Sequence, residues 1–229
     1  MESGNARTSR MGRWETVAAV GWLPIHLLLL PLLLLRLLPG IPGTTLNFLV
    51  YAIGAAALTA QCFGFLRRDF DPLCDRPGLI LRQIAVAYAL VMLGNLLVSL
   101  LLSRLLPEGN PNNAALMDLA ARARGKIVVM TVLLAPLVEE LMCRGGIFGL
   151  LRRRSRVLAY AGSILLFAVY HTWQYALTDP RNWLYLLQYL PASFALCRCY
   201  EKTESIWTPI LFHVLNNGVS LLALSLMGG

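Results

Sequence analysis

The chain has 229 residues, of which 57% are hydrophobic and 14% are charged. A soluble domain usually has about 25% charged residues, so the composition disfavours a soluble globular domain and indicates a membrane protein. The net charge is +8, but the basic residues cluster between apolar runs and are not interleaved with aromatics on a polar face. This pattern is typical of membrane loops and argues against nucleic acid as a partner.

The chain begins with a polar, basic segment, residues 1–16, which we predict to be a cytoplasmic tail. The apolar run Val17–Leu38 follows. It is long enough to span a bilayer, and no small-residue cleavage site comes after it. We therefore predict a retained first span and not a signal peptide.

Six further apolar segments are predicted to be helices, because backbone groups in hydrocarbon must be satisfied within their own segment. The sixth segment overall is the shortest, and Pro191 is expected to kink or split it. The segments are Leu46–Leu66, Leu79–Leu102, Ile127–Leu150, Leu158–Leu177, Trp183–Cys199 and Ile206–Leu226.

The predicted fold is all-α, a polytopic membrane helical bundle of about seven transmembrane helices. Six spans with re-entrant or interfacial helices are the alternative. We expect residues 17–229 to form a single integral membrane domain. The longest connector, Pro107–Lys126, is predicted to begin as a turn and to continue as a short helix on the membrane surface.

The distribution of Arg and Lys predicts the orientation. More of them fall in the segments that face the cytoplasm if the N-terminus is inside, so we expect the N-terminus to be cytoplasmic and the C-terminus to be outside. The Arg-rich and Leu-rich composition, the short loops and the few Lys residues favour a bacterial cytoplasmic membrane.

Ionisable side chains within spans usually face a cavity or a partner, because burying them in lipid is costly. Glu140 and Arg144 lie four residues apart, so they share a helix face and can pair. Glu139 is about 100° away around the helix, which leaves it without that partner. With this topology, Glu139, His171 and His213 all fall near the middle of the membrane.

Three spans contain a histidine. A lone histidine in a span is more often a packing residue than a catalyst, and we interpret His26 in this way. His171 shares a helix face with Phe167, and His213 shares one with Asn217, since each pair is separated by four residues. Two histidines near an unpaired carboxylate favour a functional site.

A carboxylate beside an imidazole can deprotonate water, and an imidazole and a carboxamide on one face can donate hydrogen bonds to an oxyanion. Together they make possible a peptide hydrolase that attacks with water. A zinc site with Glu139, His171 and His213 as ligands is the alternative, although the chain has no H-E-x-x-H motif.

The three motifs Glu139-Glu140-x-x-x-Arg144, Phe167-x-x-x-His171 and His213-x-x-x-Asn217 resemble the EExxxR, FxxxH and HxxxN motifs of the CPBP family. This family comprises the type II CAAX prenyl endopeptidases and the bacterial Abi-type membrane proteins. The resemblance covers about 126–226, the expected catalytic core, and the first three spans match in hydropathy only.

The resemblance implies a glutamate-dependent intramembrane endopeptidase without a cofactor, acting on a membrane-associated protein or peptide. Glu139 and His171 would activate water, and His213 and Asn217 would form the oxyanion site. The implied supporting residues are Glu140, Arg144 and Phe167. Which of the two glutamates is the base stays open.

Two other functions are compatible with the same residues. A non-enzymatic bacteriocin-immunity or assembly protein would use the polar side chains for packing and partner binding. A transporter or proton relay would use the same carboxylate and histidines, but neither half of the chain repeats the other, as many transporters do.

Overall fold

The computed structural model describes residues 10–106 and 108–227, and these residues form an all-α bundle without strands. Residues 1–9 of the predicted tail lie outside the described residues, and its end, from Arg13, already belongs to the first helix. The helices are α1 Arg13–Leu37, α2 Gly43–Gln61, α3 Phe63–Arg68, α4 Asp71–Asp75, α5 Pro77–Leu105, α6 (residues 111–152), α7 Arg156–Thr178, α8 Leu186–Thr203 and α9 Trp207–Met227.

The bundle exposes an apolar surface, as expected of a membrane protein. By length and composition, three of the described helices are able to cross a membrane: α1, α2 and α5. Leu32 and Leu33 on α1 and Leu96 and Leu97 on α5 are all more than half exposed. A contiguous exposed apolar face of this kind suits lipid and not water. The chain is an integral membrane protein, and its count of seven spans stays a prediction.

The long helix α6 lies at the centre of the fold and contacts α1, α2, α7 and α9. Two π-helical segments, Val129–Leu134 and Leu141–Phe148, interrupt its α-helical geometry on either side of Ala135–Glu140. Such π-bulges are rare and are frequent at functional sites. The two glutamates therefore lie on a short α-helical stretch between two locally widened turns.

The predicted separate surface helix after residue 107 is wrong in its boundaries. A helix begins at Pro111 and continues without a break into the fourth predicted span. Asn110 caps it, since its side chain accepts a hydrogen bond from the backbone N–H of Asn112 at 2.9 Å. Proline in the first helical turn is pre-organised for a helix start, so the turn ends three residues after Pro107.

The predicted sixth span is also shifted. It begins as a 3₁₀ segment, Pro180–Tyr185, and its α-helix α8 continues to Thr203. Pro191 lies inside α8 and does not split it. On α5, a Cβ atom at Gly94 would overlap the Pro191 ring, so the glycine is what allows α5 and α8 to approach so closely.

The start of α9 is held by Asp69, which lies between α3 and α4. Its carboxylate accepts a hydrogen bond from the backbone N–H of Ile206 at 2.6 Å, and its carbonyl accepts one from Ser205 Oγ at 2.7 Å. Asp69 is fully buried. Burial raises its pKa to about 8, although the hydrogen bond from Ile206 and the charge of Arg68 act in the opposite direction.

We expect stability to fall as the pH rises from about 4 to about 8. The folded chain binds the Asp69 proton more tightly than the unfolded chain, where the pKa is near 3.8. The stabilisation is therefore complete below that value and is lost as the pH passes through about 8. Thermal unfolding in detergent should show this slope in the parent and a flatter one in Asp69→Asn. Asp71→Asn, an exposed neighbour, serves as the control, and an unchanged slope in Asp69→Asn would contradict the assignment.

Candidate functional site

Adjacent in sequence, the two glutamates face different partners. Glu140 is fully buried, and its Oε1 accepts a hydrogen bond from Arg144 Nη1 at 3.0 Å. The same oxygen lies 2.8 Å from His213 Nδ1. The ion pair expected from the four-residue spacing is present, and it extends to a histidine on α9.

Arg144 is fully buried as well, and three elements hold it in place. Besides Glu140 on its own helix, Nη2 donates to Ser193 Oγ at 2.8 Å and to the Ser193 carbonyl at 3.1 Å on α8. The guanidinium lies 4.6 Å from the centre of the Phe167 ring on α7. Arg144 thus links three helices, and Phe167 contacts it with an aromatic face.

Glu139 faces both histidines. Its Oε2 lies 3.7 Å from His171 Nε2 and 3.8 Å from His213 Nε2. Its Oε1 accepts a hydrogen bond from the Tyr51 hydroxyl at 3.0 Å. Only 3% of Glu139 is exposed, and this carboxylate and both histidines line one cavity.

The hydrogen bonds of the two imidazoles indicate their tautomers. His171 Nδ1 lies 2.8 Å from the Phe167 carbonyl, which can only accept, so Nδ1 carries the proton. His213 Nδ1 faces Glu140. Because the Glu140 carboxylate accepts while it is paired with Arg144, His213 Nδ1 also carries its ring's proton. In the neutral rings, both Nε2 atoms are then acceptors aimed at a third acceptor, Glu139 Oε2. A water molecule or an added proton between them resolves this arrangement, so the geometry suits proton transfer.

Asn217 lines the same cavity as Glu139 and the two histidines. Its Nδ2 donates to the Thr131 carbonyl on α6 at 3.0 Å. A carboxamide nitrogen has two protons, and one of them remains for another acceptor. The structure therefore brings together all four residues of the predicted catalytic set, and Phe167 lies 4.5 Å, between ring centres, from His171.

Sequence reasoning missed several aromatic residues of the site. Tyr51 on α2 donates to Glu139, and its hydroxyl also lies 2.8 Å from that of Tyr170. Tyr189 on α8 stacks on His171 with ring centres 4.7 Å apart. Tyr51 and Glu139 are 88 residues apart, and no spacing pattern relates them, so nothing in the sequence signals this contact.

His26, interpreted as a packing residue, is buried in the π-helical turn Ile25–Leu29 of α1. Its ring lies 4.7 Å from that of Tyr51 in an edge-on arrangement, which fits the packing interpretation. It also lines the cavity that contains Glu139, which the sequence did not indicate.

Zinc suits the types of the candidate ligands better than it suits their arrangement. Glu139, His171 and His213 are ligand types that zinc prefers. Within 10–106 and 108–227, however, no three His, Cys, Asp or Glu residues have an arrangement able to hold a metal ion. We therefore derive no step through a metal.

The Arg144 network gives a stability prediction. Arg144→Met should destabilise the protein by about 3–5 kcal/mol, because it leaves the Glu140 carboxylate buried without its cation. Adding Glu140→Gln should restore part of the loss. Chemical unfolding in detergent measures both effects. Arg156→Met, which removes an exposed arginine paired with Glu201, should change little, and equal losses in the two arginine variants would contradict a special role for burial.

Comparison with known proteins adds a similarity to one family over part of the chain. Residues 125–219 match the family model described as type II CAAX prenyl endopeptidase Rce1-like. No curated protein and no solved structure matches the chain. The matched segment contains Glu139, Glu140, Arg144, His171 and His213. Residues 125–219 are therefore similar to the Rce1-like type II CAAX prenyl endopeptidase family, and this similarity supports a membrane peptidase.

Proposed function

We propose that the chain is a glutamate-dependent intramembrane endopeptidase that hydrolyses a peptide bond of a membrane-associated protein or peptide with an activated water molecule. The main support is the convergence of Glu139 Oε2 with the Nε2 atoms of His171 and His213, at 3.7 and 3.8 Å.

In the proposed reaction, Glu139 accepts a proton from water while His171 orients that water. The hydroxide oxygen bonds to the carbonyl carbon of the substrate, and the carbonyl electron pair moves to its oxygen. Collapse of this tetrahedral species breaks the C–N bond. The proton held by Glu139 goes to the leaving amine, so the site returns to its starting state.

His213 and Asn217 are proposed to stabilise the oxyanion. His213 Nδ1 is engaged with Glu140, and a proton on Nε2 of the same ring would be able to donate to the oxyanion. Asn217 donates one proton to the Thr131 carbonyl, and its second proton is available for the oxyanion. Oxyanion donors typically contribute about 10²–10³ in rate each.

The assignment of Glu139 as the base rests on how the two carboxylates are occupied. Glu140 is bonded to both Arg144 and His213, so protonating it would cost an ion pair. Glu139 accepts from one neutral hydroxyl, that of Tyr51, and its other oxygen faces the histidines. We propose that Glu140, Arg144 and Phe167 support the site and that Glu139 reacts.

We propose that the N-terminus is cytoplasmic, the C-terminus is outside and the membrane is the bacterial cytoplasmic membrane. The basic residues favour this orientation, because Arg67 and Arg68 after α2 and Arg153 and Arg154 after α6 then lie on the same inner side. The end of α5 and the start of α6 then lie on the outer side, and Asn110 there lines the cavity.

Glu139→Gln should lower the rate of cleavage by about 10²-fold or more, because the amide cannot accept the proton. Products of membranes with and without the active chain, compared by mass spectrometry, would identify a substrate, and its cleavage rate is then measured. Glu201→Gln is the control. Glu201 is a carboxylate paired with arginines, and it lies near the end of α8, away from the cavity that contains Glu139. Full activity of Glu139→Gln would contradict the mechanism. A collapse of its melting temperature in detergent would favour a structural role in a non-enzymatic immunity or assembly protein.

Metal removal separates the glutamate mechanism from the zinc alternative. We expect cleavage to persist after dialysis against 1,10-phenanthroline and EDTA, with a zinc-dependent protease treated in parallel as the control. Loss of activity that zinc restores, together with loss of bound zinc in the His171→Ala and His213→Ala variants, would favour the metal site instead.

A further inference from the structure

The cavity above Glu139 has an unusual lining for a membrane protein. Its volume is about 590 Å³, within the range of about 300–1,000 Å³ typical of ligand sites. The chain has nine Asn and four Gln residues, and nine of these thirteen carboxamides line the cavity. Among the described lining residues, Glu139 is the only Asp, Glu, Lys or Arg. The wall is thus rich in hydrogen-bonding groups and poor in charge.

These polar groups lie at different depths in the cavity. Glu139 and His213 are buried, Asn95 and Asn216 are half-buried, and Gln174 is exposed. A ligand that reaches Glu139 therefore meets polar side chains at several depths, beside apolar lining residues such as Leu116 and Phe212. Carboxamides both donate and accept hydrogen bonds, so they match a ligand that does the same.

Some of this hydrogen-bonding capacity is unused. Asn95 Oδ1, Thr131 Oγ1 and Glu139 Oε2 are buried atoms that line the cavity and form no hydrogen bond with the described residues. Buried polar atoms in folded proteins nearly always have partners. A peptide supplies one N–H and one C=O per residue. An isoprenoid chain supplies neither, and it would cover these atoms without satisfying them.

The charges of the lining residues further restrict which side chains the ligand can have. An acidic side chain in this cavity would meet no arginine or lysine among the described lining residues, and it would be repelled by Glu139. A lysine or arginine placed away from Glu139 would be buried without a partner, which is costly. Uncharged side chains that hydrogen-bond avoid both penalties.

We propose that this cavity binds an extended, unprenylated peptide with uncharged polar side chains, such as Ser, Thr, Asn and Gln. This inference rests on the proposed function, because the bound peptide would be a substrate only if it presents its peptide bond to Glu139. It names a substrate class without the isoprenoid group for which the family is named.

Binding to the intact chain in nanodiscs tests the ligand class directly. The probes are fluorescent peptides that are either Ser/Asn/Gln-rich or Leu/Val-rich, each with and without a farnesyl thioether on a terminal cysteine. We expect the unprenylated polar peptide to bind most tightly in a fluorescence anisotropy titration. Asn95→Leu should weaken its binding about fivefold, the loss of roughly one hydrogen bond. Gln174→Leu, at an exposed position that tolerates the change, should act in the same direction.

Gln61→Leu is the matched control, because Gln61 is an exposed carboxamide at the end of α2 and does not line the cavity. It should leave all four affinities unchanged. Tighter binding of the farnesylated partner of either pair, or equal binding of all four peptides, would overturn the proposal. So would polar-peptide affinity that neither Asn95→Leu nor Gln174→Leu reduces.

Cleavage of the same peptides is scored separately in the parent and in Glu139→Gln. If the polar peptide binds preferentially and is cleaved only by the parent, both proposals stand. If it binds preferentially and is not cleaved, the ligand class stands and the endopeptidase proposal fails. If a farnesylated peptide is preferred and is cleaved with dependence on Glu139, the endopeptidase proposal stands and the ligand class fails.

Discussion

The buried contact of Glu140 with Arg144 and His213 is the constraint on which the site depends. Two carboxylates side by side in a low-dielectric interior would repel each other if neither had a cation. Arg144 neutralises one of them and, through Ser193 and Phe167, fixes the spacing of α6, α7 and α8. Because Glu140 also holds His213, the same contact orients a histidine toward Glu139.

The surrounding helices determine what is left for Glu139. The two glutamates are adjacent on the α-helical stretch Ala135–Glu140, so their side chains leave α6 about 100° apart. Tyr51 arrives from α2 and fixes one carboxylate oxygen, so that only the other one faces the histidines. A hydrogen bond from a neutral hydroxyl stabilises the carboxylate less than an ion pair does. Glu139 is therefore held in position and still able to take up a proton.

Much of this arrangement follows from local spacing, which is why the sequence predicted it. The pairs Glu140–Arg144, Phe167–His171 and His213–Asn217 each lie four residues apart, and helical geometry alone puts their members on one face. Hydropathy likewise placed the helical segments within a few residues, because lipid requires satisfied backbones. The errors arise where a cap or a packing contact decides. Asn110 and Pro111 start α6 early, and Gly94 accommodates Pro191 within α8.

Contacts between distant segments were beyond sequence reasoning. Tyr51 has no periodic relation to Glu139, and His26 in the first span gave no sign that it lines the cavity. Nor did composition reveal that the scattered carboxamides gather around one space. They come from α2, α5, the start of α6, α7, α8 and α9, and only the packing of these helices makes them neighbours.

Residues from two parts of the chain line the cavity, which explains why the similarity of residues 125–219 to a family leaves the ligand open. Three of the lining residues, Glu139, His171 and His213, lie within the matched residues 125–219. Many other lining residues lie outside this segment, including Tyr51, Asn95 and the asparagines at the start of α6. In the proposed reaction, the chemistry depends on Glu139 and the two histidines. Selectivity depends on which hydrogen-bonding groups of the other lining residues a ligand leaves unsatisfied. Under the proposed function, residues 125–219 would supply the chemistry, while the first helices and the start of α6 would determine which substrate binds.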